Sequence, residues 1–445
     1  MIKKIKNQIQ QVMKEPHMQE VARGTVLAFI LKVFGAGLAF GFNVAVARIL
    51  GAEGAGLYFL ALSITTICSV IGRVGLDNAM LRFIASHTAN NEWGKINAVY
   101  ALGMKIAVIV SGTMTIIVYI LSPYIAHALF NKPELDEPLR YMSLSILPFS
   151  LINVQAESLK ALKSVSKAIF LQSISLPLIS SMLLYLFISK FSVEDIIVIY
   201  VFATLISLFI GIYYWSKSTV HNNTSTFEFS ILWSSCKHLF VVSLVQRGVL
   251  PWAPILLLGF WLTSEEVGVY SIATRVVALV SFLLVAINSV LAPKFSFLYS
   301  KGEIQSLSSV ARKAAFFITI ISSPIFCMII FYGDYVLSMF GNEFERGVTV
   351  LIILAIGQLA NVLCGSVGYL LMMSGNEMVF RNINIIMAFF QISIMFVTIS
   401  IWGMIGAAIT SAAFQILLNG AAVYYVQKIL HIKMFSFKSG EFKNI

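Results

Sequence analysis

The chain has 445 residues, of which 58% are hydrophobic and 11% charged, and its net charge at neutral pH is +11. Soluble domains carry about 25% charged residues, so this chain is read as membrane domain throughout and a soluble enzyme is excluded. No basic run is interleaved with exposed aromatics, which removes nucleic acid as the reason for the positive charge.

Residues 1–24 set Lys3, Lys4, Lys6 and Lys14 around Ile2, Ile5, Ile9 and Val12 at helical spacing. This fits a basic amphipathic segment on the cytoplasmic membrane surface, or equally a disordered tail. The apolar run that follows is too long for a signal peptide.

Apolar stretches of about 20 residues, enough to cross a hydrocarbon core of about 30 Å, then recur along the chain. In the first half they fall at 25–46, 55–75, 98–121, 139–158, 167–188 and 195–215. A polar linker over 216–238 follows, with spans at 239–261, 267–292, 313–332, 347–372, 379–400 and 403–426 and a tail over 428–445.

The expected fold is therefore all-α and integral to the membrane, with about twelve transmembrane helices in two six-helix lobes, 25–215 and 239–427. The lobes resemble one another: Leu50, Glu53, Gly56, Tyr58 and Ala61 match Leu262, Glu265, Gly268, Tyr270 and Ala273 at a constant offset of 212. An even number of spans separates the copies, so they share an orientation and are related by an axis along the membrane normal, with a pathway between them.

Most Lys and Arg residues fall in segments that share a side with the termini, Arg82, Lys160, Lys163, Lys167, Lys301, Arg312 and Lys313 among them. The opposite loops hold Arg48, Lys132, Arg140, Lys190 and Arg346. Because translocating basic residues is disfavoured, both termini are expected in the cytoplasm.

Ionisable residues inside spans are costly in lipid and mark pathways. The substrate-cavity candidates are cationic or polar: Lys32 and Asn43 in span one, Arg73 in span two, Lys105 in span three, Arg247 in span seven and Arg275 in span eight. The spans of the first half offer no acid at comparable depth, Asp77 and Glu157 lying at cytoplasmic span ends. Thr25, Lys32, Ala36, Ala39 and Asn43 share one face of the first span, with Phe29 interrupting it. Against a cavity role, Lys32 and Lys105 are shallow enough to snorkel, and Arg275 can reach the outer surface. Pro251 and Pro254 remove helix hydrogen bonds beside Arg247 and are the candidate hinge.

No Walker A loop, metal-ligand spacing or Ser, His and Asp set is present, and Cys68, Cys236, Cys327 and Cys364 are scattered, so no enzyme, cofactor or metal centre is expected.

Arg48, Leu50, Gly51, Gly56, Leu57 and Tyr58, with Gly75, Leu76, Asp77, Arg82 and Phe83 at the exit of span two, form a pattern that resembles the N-terminal signature of bacterial polysaccharide transporters. These are the Wzx-type flippases, in the superfamily that also holds MATE exporters and MurJ. The motifs are confined mainly to residues 47–85, and Arg48 has Phe260 as its counterpart in the second half.

The resemblance implies an inner-membrane flippase working by alternating access on undecaprenyl-pyrophosphate-linked oligosaccharide, for O-antigen of lipopolysaccharide or another surface polysaccharide. It implies membrane lipids, a polysaccharide polymerase and chain-length proteins as partners. The cationic candidates suit a pyrophosphate, with Phe29, Tyr58 and Trp252 available to stack on sugars. A cation-coupled MATE-type exporter, a MurJ-like peptidoglycan-precursor flippase and a membrane glycan polymerase or ligase are the competing readings.

Overall fold

The computed structural model describes residues 16–187, 192–220 and 225–434. The helices are α1 (Pro16–Arg73), α2 (Leu76–Ala89), α3 (Trp93–Tyr124), α4 (Asp136–Ser143), α5 (Ile146–Ala161), α6 (Val165–Ile169), α7 (Ser175–Leu186) and α8 (Val193–Ser218) in the first half. The second half holds α9 (Phe229–Ser243), α10 (Leu250–Trp261), α11 (Ser264–Ser300), α12 (Ile304–Ser338), α13 (Val348–Cys364), α14 (Val367–Met373) and α15 (Glu377–Leu430). No strand occurs among the described residues.

Two of these helices are each a pair of spans. α1 breaks at Gly51 (φ 68°), and one guanidinium, that of Arg275, touches both Asn43 before the break and Phe59 after it. In a straight helix those residues would lie about 24 Å apart, so α1 doubles back as a hairpin. α15 does the same at Gly403 (φ 57°), where the Thr398 and Thr410 hydroxyls meet at 2.7 Å. Positive φ at the pivot is what glycine supplies without a steric cost.

Counting both arms of each hairpin, the crossings are α1 twice, α3, α4 with α5, α6 with α7, α8, α9 with α10, α11, α12, α13 with α14, and α15 twice. Both chain ends approach from one side, the terminal end; Gly51 and Gly341 lie at the opposite, far end. Each expected span falls on a helix, but the helices of the first, seventh and ninth start nine or ten residues earlier, at Pro16, Phe229 and Ile304, and that of the eighth runs on to Ser300. Lys190, residues 1–15, 221–224 and 435–445 lie outside the described residues, and with them most of the expected amphipathic segment; from Pro16 the chain is continuous with the first span.

The repeat is visible as a contact. A Cβ on Gly56 would meet the Ser264 carbonyl and the Gly268 nitrogen, while one on Gly268 would meet the Ala52 carbonyl and the Gly56 nitrogen. Each partner is displaced by 212 from its counterpart, as an axis between Gly56 and Gly268 requires. Small residues four apart on both helices, Ala52 and Gly56 against Ser264 and Gly268, let the backbones touch, the usual means of tight packing where lipid removes the hydrophobic drive.

Loops repeat the exchange at the far end. Lys132 of the first half donates to the Gly259 and Leu262 carbonyls of the second at 2.7 and 2.6 Å. Burial pushes its ammonium pKa down, with Glu134 and Glu266 pulling the other way. Glu343 of the second half accepts from the Ala52 N–H at 2.7 Å, and Arg48 donates to the Met339 carbonyl at 2.6 Å.

Candidate functional site

Between the halves, charged side chains collect at two levels. The first is set by α2, which starts after Gly75 (φ 79°). A Cβ there would meet the Cys236 carbonyl and the Phe240 nitrogen at 2.6 and 2.8 Å, so glycine lets α9 lie against the start of α2. That approach brings Asn78 to Ser243, at 3.2 Å, and Arg247 to Asp77.

Asp77 is fully buried, and its Oδ2 takes Arg247 at 2.9 Å and Arg73 at 3.3 Å. Arg247 also reaches Glu157 at 3.8 Å, and Glu157 accepts from Lys160 and Gln172 at 2.9 and 3.1 Å. The two acids at the span ends are thus the counter-charges of Arg73, Arg247 and Lys160. A buried Arg73 with no carboxylate would carry a desolvation penalty of several kcal/mol, and Asp77 removes it from four residues along the chain. Arg247 is a tie between halves through Asp77 and Glu157, its side chain still 41% exposed.

Arg247 sits in a π-helical turn, Leu244–Val249, just ahead of Pro251 and Pro254. Proline has no N–H to give the carbonyl four residues back and its ring crowds that carbonyl; a widened turn at this point absorbs both effects. Pro254 is buried and Pro251 exposed.

The second level lies further toward the far end. Arg275 Nε donates to Asn43 Oδ1 at 3.1 Å and Nη1 to the Ser271 carbonyl at 3.0 Å, and its guanidinium carbon lies 3.6 Å from the centre of the Phe59 ring. It points into the seam rather than to an outer surface. No carboxylate pairs with it among the described residues. Lys32 is eleven residues before Asn43 on the same face of the first span, about 16 Å lower by helical rise. It is half-buried, with no ion pair among the described residues, and the nearby charge that acts on it is another cation, Lys160.

Other candidates fall elsewhere. Lys105 is exposed on α3, away from both levels, and Arg82 is exposed beside the Phe83 ring. Tyr58 is 1% exposed and packs edge-on against Phe59 and Tyr200, which makes it a core residue and removes it from the sugar-stacking set. Phe29 and Trp252 remain partly accessible. What sequence reasoning missed is the pairing of Asp77 with Arg73 and Arg247: a carboxylate four residues after Arg73 was the available signal, although α1 ends at Arg73 and the chain turns through Val74 and Gly75 before α2.

A family model for polysaccharide biosynthesis proteins matches residues 21–299. The chain belongs to that family. A MatE family model also matches residues 253–397. Among curated proteins, a probable low-salt glycan biosynthesis flippase, Agl15 of Haloferax volcanii, is 24% identical over 419 residues, covering 93% of this chain and 85% of the relative.

Among solved structures, an inward-facing MATE multidrug-resistance transporter of the MOP superfamily superposes with a TM-score of 0.73 at 12% identity, covering 93% of this chain and 100% of that one. The lipid II flippase MurJ in an inward closed conformation gives 0.69 at 14%, covering 94% of each chain. A MOP-superfamily transporter from Pyrococcus furiosus, described by the reverse polarity of its binding pocket, gives 0.66 at 12%, covering 94% of this chain and 97% of that one. This family member thus has the MOP fold, an all-α multi-pass membrane architecture.

Proposed function

We propose that this protein is a flippase that carries undecaprenyl-pyrophosphate-linked oligosaccharide repeat units of O-antigen or another surface polysaccharide across the bacterial inner membrane by alternating access. The termini are cytoplasmic in this reading, and the far end faces outward. The observation that carries it is Arg275, held in the seam by Asn43 and Phe59 without a carboxylate, with Lys32 below it on the same helical face. An unpaired cation at membrane depth is costly, and a pyrophosphate crossing the seam supplies the missing anion to a guanidinium that can bind its oxygens bidentately. The polyprenyl tail stays in lipid while the head crosses.

Membership of the polysaccharide biosynthesis family and similarity to a protein named as a glycan biosynthesis flippase support the same substrate class. A cation exporter fits less well, because Asp77 and Glu157, the carboxylates that meet the seam, are already occupied by arginine and lysine.

Deleting the gene should remove long surface glycan and accumulate lipid-linked repeat units on the cytoplasmic leaflet while cells keep dividing. Lys32→Glu and Arg275→Glu should each fail to restore the glycan at normal expression. Unchanged surface glycan with lysis on depletion would point to peptidoglycan precursor instead. Cysteine labelling tests the orientation: the 122–138 loop should react in intact spheroplasts and the 216–237 linker should not.

A further inference from the structure

Two half-open hollows with no charged residue in their lining lie inside the second half. One cavity of about 320 Å³ is walled by α10, α11, α13 and both arms of α15, and another of the same size adjoins it, sharing Pro251, Thr274, Leu354, Ser411 and Gln415. Together they reach the size of small-molecule sites, about 300–1,000 Å³.

The lining is uncharged and mainly apolar, with a set of polar side chains among the apolar ones. Thr274, Gln358, Asn384, Gln391, Ser411 and Gln415 contribute, and no Asp, Glu, Lys, Arg or His is among the lining residues. Such a wall does not recognise a phosphate, which calls for Arg or Lys, or a hard cation, which calls for carboxylates. Thr274, Asn384 and Ser411 already bond Ser271, Phe380 and Tyr270 within the protein, and an apolar ligand would leave the Gln358, Gln391 and Gln415 amides without partners. Amides that both donate and accept suit a neutral ligand rich in hydroxyls.

Gln358 marks the unmet demand. It is 7% exposed, and its Nε2 has no hydrogen-bond partner, where buried polar groups are almost always paired.

The repeat supplies an internal control. At the offset of 212, Thr274, Gln358, Gln391, Ser411 and Gln415 correspond to Leu62, Ile146, Ile179, Ile199 and Ala203, while Asn384 corresponds to the polar Gln172. Ile146 and Ala203 are 0% exposed in the core of the first half. At every position but that of Asn384, the residue is apolar in one copy and polar in the other. Packing of the frame does not require polar groups at those positions, since the first half folds without them.

The hollow also adjoins the seam. Thr274 immediately precedes Arg275 on α11, so the cavity wall and the guanidinium of the seam are carried by neighbouring residues that face about 100° apart around one helix. Pro251, which lines both cavities, is one turn beyond Arg247.

We propose that the second half holds a carbohydrate subsite, in which these amides and hydroxyls take a neutral sugar of the headgroup while the cations in the seam hold its pyrophosphate. This rests on the glycolipid reading above.

The test compares two probes on the full chain in nanodiscs: undecaprenyl pyrophosphate without sugar, and the lipid-linked repeat unit extracted from cells lacking the gene. Gln358→Leu combined with Gln415→Leu should weaken the sugar-bearing probe about tenfold, equal to about 1.4 kcal/mol, and leave the sugar-free probe unchanged. Arg275→Gln should weaken both. The thiol introduced by Ser411→Cys should be protected from maleimide by the sugar-bearing probe alone, a readout that does not depend on removing the amides. Equal weakening of both probes, no change in either, or protection by the sugar-free lipid overturns the subsite. A wild-type protein that binds the sugar-free probe but gains nothing from the sugar overturns it while sparing the pyrophosphate site; binding of neither probe overturns the glycolipid reading itself.

Discussion

The seam between the halves is closed by different forces at its two ends. At the far end Gly56 and Gly268 bring backbone against backbone, and the loops at Lys132 and Glu343 cross over to the opposite half. At the level of Asp77 the closure is ionic, two arginines on one carboxylate oxygen, with Arg247 the member contributed by the second half. Close packing of small residues tolerates no added atoms, whereas an ion network can exchange one partner for another. If the halves rock, the ionic level is the one whose partners a charged ligand can replace.

The largest effect that can break this comparison is at Gly56. A side chain there would overlap the Ser264 carbonyl at 1.7 Å; overpacking that costs about 1–3 kcal/mol where neighbours can shift costs more where the obstacle is the backbone of a packed helix, and the contact that joins the halves is lost. Gly56→Leu and Gly268→Leu should each abolish surface glycan and lower the detergent-solubilised melting temperature. Gly37→Ala, at a position with open space beside it, should do neither. Equal tolerance of all three would mean the backbone contact is absent in the working protein.

Next is Asp77→Asn, which strips Arg73 and Arg247 of their shared charge. Breaking a buried pair costs about 3–5 kcal/mol, and most of that should come from Arg73, since Arg247 is substantially exposed and screened. A double-mutant cycle between Asp77→Asn and Arg247→Gln should show a coupling of about 1 kcal/mol or less, smaller than the coupling of Asp77 with Arg73. The reverse order would make Arg247 the structural partner.

Arg247→Lys should be milder, retaining part of the transport rate because charge persists while the planar fork is lost. Full loss with normal expression would mean the fork itself is needed. The smallest change is Glu343→Gln, which weakens one charge-assisted bond to the Ala52 N–H, about 1 kcal/mol. It should shift the melting temperature slightly and leave surface glycan intact; loss of glycan would raise the crossed loops from support to mechanism.

The fold was legible because a span advertises itself locally. Runs such as 195–215 need no partner to be recognised, since every peptide group must bond within its own helix in lipid. The repeat was legible too, as Gly56 and Gly268 at one offset. That those two glycines touch was not, because an offset gives equivalence and not contact. Asp77 shows the limit most clearly: its bond to Arg73 lay within four residues, but its bond to Arg247 spans 170 residues and depends on Gly75 admitting α9.

By itself, then, the sequence determined the membrane class, the twelve-span layout, the internal repeat and the set of cations that need an explanation, because each follows from hydrophobicity, spacing or the cost of a charge in lipid. Tertiary structure alone decided which cations have a carboxylate beside them and which, among the described residues, do not. Arg73 and Arg275 are both arginines in apolar sequence; one is buried against a carboxylate, and the other against an aromatic ring and an amide. Pairing of charges is a property of neighbouring helices, and hydropathy along the chain does not encode which helices those are.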